Sequence, residues 1–406
     1  MNLESRIREE LSARARSVAP SSDAWSSLQR KATRRGRTRG RRVVTAAIAL
    51  VAFGGAFFLL WTTFRTLPLD QSVGSATEVS APHLGATIPV SGVRAVIGGS
   101  EGVWGIGVGI GVDDAPCAGI SGRAFPVDTD TNQVAGRVQL DFVPEKVVEG
   151  FGSVWVAGYT CTPPATSDGL AAFHAVVARI DPTSGEVIAQ LEVGPGEAFG
   201  LASGEQGIWV ASGTGSPSSG QLVRIDPASN EADLTVDLHE SVRQVEASGS
   251  DIWVWALGRD VSQAGILRVD GQTGSVHPAS VGELGGPLAA DSGGVWAEGV
   301  VGSGASPQAS AVFVSKETGQ IDRSIPVPFD RFVPFATSQT GVWFIGGTDS
   351  GADSVTVGHL DVVNGQVDAS LLLPTSRQPD FFVLDPARSA IWLTSESQGL
   401  ITRIDL

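Results

Sequence analysis

Methionine and tyrosine occur once each in this chain of 406 residues, cysteine twice, and lysine three times, as Lys31, Lys146 and Lys316. Two cysteines allow one intramolecular disulfide at most. Nearly all positive charge is arginine, a bias we ascribe to genome composition and not to function. The five histidines, His83, His174, His239, His277 and His359, include no pair with metal-ligand spacing, so no metal is expected.

Charge is absent from residues 43–64, VVTAAIALVAFGGAFFLLWTTF. At ~1.5 Å per helical residue that run is long enough to cross a ~30 Å hydrocarbon core, and it reads as a transmembrane helix. A cleaved signal peptide fits less well, because 42 residues precede the run and no clear A-x-A site follows it. Residues 1–42 hold 12 basic and 4 acidic side chains, a net of +8, whereas residues 43–406 hold 16 basic and 39 acidic ones, a net of −23. Eight basic residues crowd RKATRRGRTRGRR just before the helix, and only Arg65 follows it closely. The positive-inside rule then places residues 1–42 in the cytosol and the acidic remainder outside the cell.

The basic run also invites a nucleic-acid reading. It lacks aromatic residues for base stacking, and beside a membrane helix it serves as topology signal and headgroup attraction, so a lipid bilayer is the expected partner and nucleic acid is not. Leu3, Ile7 and Leu11 form a short apolar stripe of an amphipathic helix upstream, and a second helix starts near Ser22 or Asp23. Residues 65–85 read as a linker.

Beyond the linker the chain repeats. EGVWGIG, GSVWVAG, QGIWVAS, SDIWVWA, GGVWAEG, TGVWFIG and SAIWLTS carry Trp104, Trp155, Trp209, Trp253, Trp296, Trp343 and Trp392, spaced 51, 54, 44, 43, 47 and 49 residues apart. Eight residues before each tryptophan stands an apolar residue: Val96, Val147, Leu201, Val245, Leu288, Phe335 and Leu384. After most of them comes a strand–turn–strand phrase such as VARIDPTSGEVIAQLEV or LVRIDPASNEADLTVDL, in which Asp-Pro sets the turn and Gly185 or Asn230 accepts positive φ at its end. Four strands per unit, repeated seven times, predict an all-β, seven-bladed β-propeller over residues 86–406. The C-terminal GLITRIDL matches a third strand, and GATIPVSG at 85–92 matches a fourth, so residues 86–90 are expected to pair with 400–405 and close the ring.

RIDPTSGEVIAQLEVG together with the repeated G-x-(V/I)-W-V resembles the quinoprotein-like and YVTN-type propellers, whose relatives include streptogramin lyase-like proteins. The resemblance covers the propeller, and its motifs are structural. The N-terminal segment resembles the cytosolic tails of actinobacterial membrane proteins, including those linked to sigma-factor control.

Quinone chemistry would call for repeats of A-x-D-x-x-T-G-K, and SKETGQ at 315–320 is a single imperfect match, so no cofactor is expected. Lyase chemistry would call for a histidine and an acid above the central channel; His359 stands at the arginine position of the RID phrase and reads as a strand residue. DTDTN at 128–132 has Gln133 and Gln139 where a calcium loop needs Gly and Glu, and it aligns with the Asp-Pro turns. Asp113 and Asp114 lie in a long loop, where adjacent carboxylates are normally solvated.

Cys117 and Cys161 follow the second strands of neighbouring blades, so an extracellular disulfide between equivalent loops is expected. Arg94, Lys146, Arg243, Arg331 and Arg377 precede first strands of blades, alternating with Glu145, Glu197, Asp330 and Asp380. Such positions approach the channel mouth on the cysteine face, which makes these five cations the candidate ligand-binding residues for an anion or a protein, with salt bridging between blades as the competing reading. The expected role is binding, scaffolding or sensing at the cell surface; the alternative is a propeller enzyme of lyase or quinoprotein type.

Overall fold

Seven antiparallel sheets stand around a common axis, six of them visiting their strands in chain order and the seventh taking its outer strand from the other end of the ring. The computed structural model describes residues 81–109, 117, 121–163, 171–214, 219–257, 264–281, 284–301, 308–347, 354–374 and 379–406. The expected transmembrane helix, the cytosolic helices and the Asp113–Asp114 pair lie outside the described residues. Among the described residues no helix is long and apolar enough to cross a membrane.

Blade 1 comprises Val93–Gly99, Gly102–Val108, Gly122–Asp128 and an outer strand broken into Gln133–Val134 and Val138–Leu140. Blade 2 comprises Val143–Gly150, Ser153–Thr162, Ala172–Ile180 and Val187–Pro195; blade 3 comprises Glu197–Gly204, Gly207–Gly213, Gln221–Asp226 and Glu231–Asp237. Blade 4 is Ser241–Ser248, Asp251–Leu257, Ala264–Asp270 and Val276–Val281, and blade 5 is Leu284–Asp291, Gly294–Val301, Gln308–Ser315 and Ile321–Pro326. Blade 6 is Arg331–Thr337, Gly341–Gly347, Ser354–Asp361 and Gln366–Pro374.

Blade 7 takes Phe381–Asp385, Ala390–Ser395 and Leu400–Asp405 from the C-terminus and His83–Pro89 from the start of the ring. The closing register pairs Ala86 with Arg403, Ile88 with Ile401 and Pro89 with Leu400, and runs back to His83 opposite Asp405. Closure is thus as the sequence implies, with the strand starting three residues before the expected boundary at 86. It leaves neither end of the ring as an unpaired sheet edge.

Each of the seven repeated tryptophans belongs to a different apolar cluster, and each cluster joins its own blade to the next. Trp155 of blade 2 lies with Leu201, Val210 and Ile225 of blade 3, and Trp392 of blade 7 lies with Val93 and Val103 of blade 1. Trp155, Trp209, Trp253 and Trp392 have no exposed surface. These side chains are seam packing, and truncating one to alanine would cost about 3–5 kcal/mol.

The RID arginines complete the seam. Arg179 and Arg224 face Trp155 and Trp209 across the sheet, with guanidiniums 5.2 and 5.8 Å from the ring centroids. Arg179 donates to the Pro227 carbonyl (2.5 Å) and Asn230 Oδ1 (2.9 Å), and Arg224 donates to the Gly271 carbonyl (2.6 Å). Arg268 reaches the Lys316 carbonyl and Arg403 the Thr129 carbonyl in the same way. Arg179 and Arg224 therefore cover their own tryptophans, and all four arginines hold the hairpin turn of the following blade.

Those turns hold themselves by aspartate. Asp181 Oδ1 accepts from the amides of Thr183 and Ser184, and Gly185 and Asn230 adopt φ of 72° and 57°, as the Asp-Pro phrases require. DTDTN is the same turn: Asp128 Oδ1 accepts from the amides of Asp130 and Thr131, which holds its carboxyl below the usual carboxylate range. SKETGQ is the corresponding turn of blade 5, closed by the Gly319 amide on the Ser315 carbonyl.

Candidate functional site

The first strand of every blade faces the axis, where the strands crowd. A Cβ on Gly200 would come within 2.7 Å of Val245 in the next blade, and one on Gly98 within 2.6 Å of Asp385. Inside the ring of first strands is a cavity of about 540 Å³, within the range of small-molecule sites. Its walls include Phe199, Trp255, Phe335, Phe381 and Phe382, and its charged lining is Lys146, Glu149, Arg243, Glu246 and Asp380. The indole N–H of Trp255 is buried without a hydrogen-bond partner.

Four of the five expected cations are described, and they belong to first strands instead of preceding them: Arg331 is the first residue of its strand, Arg94 the second, Arg243 the third and Lys146 the fourth. Arg94 is committed to other blades: its guanidinium pairs with Glu145 of blade 2 and lies 3.8 Å from Glu396 of blade 7. Inter-blade bridging is therefore the reading that fits Arg94. Lys146 lines the cavity, where burial lowers its pKa while the charges of Glu145 and Glu246 raise it. Arg243 also lines the cavity, is exposed, and has no carboxylate partner among the described residues. Arg331 opens the first strand of blade 6 and is exposed, but is not part of the cavity wall. Arg377 lies outside the described residues. The structure thus brings Lys146 and Arg243 to one cavity and leaves Arg94 and Arg331 out of it.

Glu246 is the acid that sequence reasoning missed. It sits three residues after Arg243 on the same strand, and burial pushes its carboxyl up to about 7, against the opposing hydrogen bond from Gln244 and the charge of Lys146. Gln244 donates to Glu246 Oε1 (2.8 Å) and to the Leu288 carbonyl (3.2 Å), and accepts from the Leu288 amide (2.7 Å), which pins the carboxyl to the blade 4–blade 5 seam. A usable signal was present: Glu246 occupies a position held by the apolar residues Ile97, Val148, Ala202, Ala289 and Ala336 in five other blades, seven residues before the tryptophan.

Cys117 and Cys161 form a disulfide with a Cα–Cα distance of 5.2 Å, joining blade 1 to blade 2 on the face where first strands begin. Cys161 lies within the second strand of blade 2 and not in a loop after it, because that strand continues to Thr162 in register with Phe173 and Ala172.

On the opposite face, Ser338, His359 and Asp368 form a chain: Ser338 Oγ is 2.8 Å from His359 Nε2, and His359 Nδ1 is 2.7 Å from Asp368 Oδ1. The pattern is that of a nucleophile, base and acid, but the setting is structural. His359 is fully buried against Trp343, and Ser338 Oγ already accepts from the amides of Thr340 (3.3 Å) and Gly341 (3.0 Å). His359 replaces the seam arginine of other blades, as its strand position implies.

No family model matches the chain, and no curated protein matches it. Solved structures do match. The WD40 domain of Neurospora crassa Pan2 superposes with a TM-score of 0.53 at 10% identity, covering 82% of this chain and 97% of that one. Kuenenia stuttgartiensis hydrazine synthase gives 0.56 at 15% identity, covering 84% and 99%, and a chain of a mitotic checkpoint complex gives 0.53 at 9%, covering 83% and 98%. At such identities the likeness extends to the fold, and together with the seven closed sheets it establishes residues 83–406 as a seven-bladed β-propeller.

Proposed function

We propose that this chain is a membrane-anchored binding protein whose extracytoplasmic propeller takes an organic anion with an apolar body into its central cavity. The observation that carries this reading is the combination, in one 540 Å³ space, of aromatic walls with the exposed guanidinium of Arg243, which has no carboxylate partner among the described residues. Arg243 supplies the charge complement and Phe199, Phe335, Phe381 and Phe382 the apolar contact. Lys146 adds positive potential.

The charge-free run at 43–64 with its basic flank supports the anchor, and the disulfide supports an oxidising compartment for the propeller. The finer relationship to quinoprotein-like and YVTN-type propellers and the actinobacterial character rest on the sequence phrases alone. Fractionation tests the anchor: the full chain is expected to stay with membranes after an alkaline wash, and a chain lacking residues 43–64 to be released. Retention of the deleted chain would overturn the assignment.

The binding reading is tested with 8-anilinonaphthalene-1-sulfonate, an aromatic anion, titrated into the full-length protein. Saturable binding is expected, weakened about tenfold by Arg243→Gln, the scale of one charge-assisted hydrogen bond, and largely kept by Arg243→Lys. Equal affinity in wild type and Arg243→Gln would refute the site.

A further inference from the structure

A second cavity, of about 300 Å³, lies on the outer flank of the ring at the closure seam, away from the bore. Its lining comes from the end of the closing strand and the turn after it (Pro89, Val90, Ser91), from the third strand of blade 1 (Arg123, Phe125), and from the break in that blade's outer strand (Val134, Gly136, Arg137). Blade 1 alone among the described blades has an outer strand in two pieces, with residues 135–137 between them. The Ala135 amide bonds back to the Pro126 carbonyl (2.9 Å), and the interruption carries Arg137 over the third strand.

Two guanidiniums thus share one small cavity. Arg123 donates to the Ser91 carbonyl and lies 5.7 Å from the Phe125 ring centroid, while its Nε is buried with no partner. Arg137 is exposed and bonds Gln139 Oε1 (3.1 Å). Neither has a carboxylate partner among the described residues. Burial first, and then the charge of Arg137, lower the pKa of Arg123, so two like charges are held together without compensation. Nothing in the repeat calls for this. Aligned on the tryptophans, the position of Arg123 holds Val176, Gln221, Gly265, Ser310, Thr356 and Leu400 in the other blades. Every other third-strand arginine among the described residues is paired in register with a seam tryptophan and holds a turn, whereas Arg123 stands at the far end of its strand.

We propose that this seam cavity is a second anion site, in which Arg123 and Arg137 grip a phosphate-type oxyanion and the exposed Val134 contacts an apolar group attached to it. Paired guanidiniums suit the several acceptor oxygens of such a group, and an incoming dianion would relieve their mutual repulsion.

Calorimetric titration of the full-length protein with inorganic phosphate, and separately with phenyl phosphate, tests the proposal. Saturable binding is expected for both, tighter for phenyl phosphate, and retained in Arg243→Gln, which weakens only the bore; in that background Arg137→Gln and Arg123→Gln are each expected to cost at least tenfold. Arg137 is exposed and makes no seam contact, so Arg137→Gln keeps the fold and decides the matter if Arg123→Gln does not fold. Three results would overturn the proposal: no saturable binding of either probe, binding unaltered in folded Arg137→Gln, or binding lost in Arg243→Gln, which would assign the anion to the bore. Equal affinity for both probes would remove the apolar half of the claim.

Discussion

Between any two blades the same contact recurs: a buried tryptophan from one blade lies against aliphatic residues of the next, and Arg179, Arg224, Phe313 or His359 packs on four of these rings. In the bore, built from the same strands, almost nothing recurs. Ten residues before the tryptophan stand Arg94, Glu145, Phe199, Arg243, Gly286, Val333 and Phe382, in an order with no period, and of these Phe199, Arg243 and Phe382 line the cavity. Seams meet one geometric demand seven times, so selection for stability makes them alike. Bore residues have no common packing partner and are free to follow a ligand, which is why the repeat marks architecture and its violations mark candidate sites.

This contrast orders the expected effects of mutation. Removing Leu400–Leu406 deletes the strand that pairs with both Ala390–Ser395 and His83–Pro89, and the ring should lose cooperative thermal unfolding altogether. A calorimetric transition unchanged by that deletion would refute closure. Trp155→Ala should cost about 3–5 kcal/mol in denaturant unfolding. Arg179→Ala, which loses two hydrogen bonds to blade 3 and the contact with Trp155, should cost about 1–3 kcal/mol. A seam substitution as mild as a bore substitution would break the comparison.

Glu246 sharpens it from the other side. Its carboxyl titrates at about 7 in the fold against an ordinary 4.5, so the native state keeps a proton that the unfolded chain has released. The group therefore contributes fully below about pH 4.5, and stability falls as pH rises from there to about 7, by at most on the order of 3 kcal/mol. Glu246→Gln should flatten that part of the stability–pH curve and raise the melting temperature above pH 7; an unchanged curve would remove Glu246 from the account. Arg243→Gln, at an exposed position with no carboxylate partner among the described residues, should shift stability by less than about 0.5 kcal/mol.

Much of this was legible in the sequence because it repeats. Seven tryptophans at fixed distance from an upstream apolar residue give blade count, strand order and seam packing, and the mismatch between the C-terminal RIDL and the N-terminal GATIPV gives the closure. The disulfide was expected between loops of neighbouring blades, and it forms although Cys161 lies within its strand. The bore was only half legible: charges near the first strands were visible, but which of them face the axis depends on strand starts and bulges such as those at Pro144/Lys146 and Val242/Gln244. Arg94 and Arg243 are both the extra residue of such a bulge, ten residues before the tryptophan, and they differ in partner: Arg94 meets Glu145 and Glu396, whereas Arg243 has no carboxylate partner among the described residues. Glu246 was hidden because a lone acid in an apolar strand reads as noise until the strand is known to face a channel. The seam cavity was hidden because it depends on a broken outer strand, and the short phrase around Gly136 carries no strong break signal.

The central claim is that the seams carry stability and the bore carries binding. It is tested most directly by following one sample of the full-length Arg243→Gln protein through both a melt and a titration with 8-anilinonaphthalene-1-sulfonate. The account predicts a melting temperature within about 2 °C of wild type and an affinity about tenfold weaker. An affinity equal to wild type at an unchanged melting temperature would contradict it.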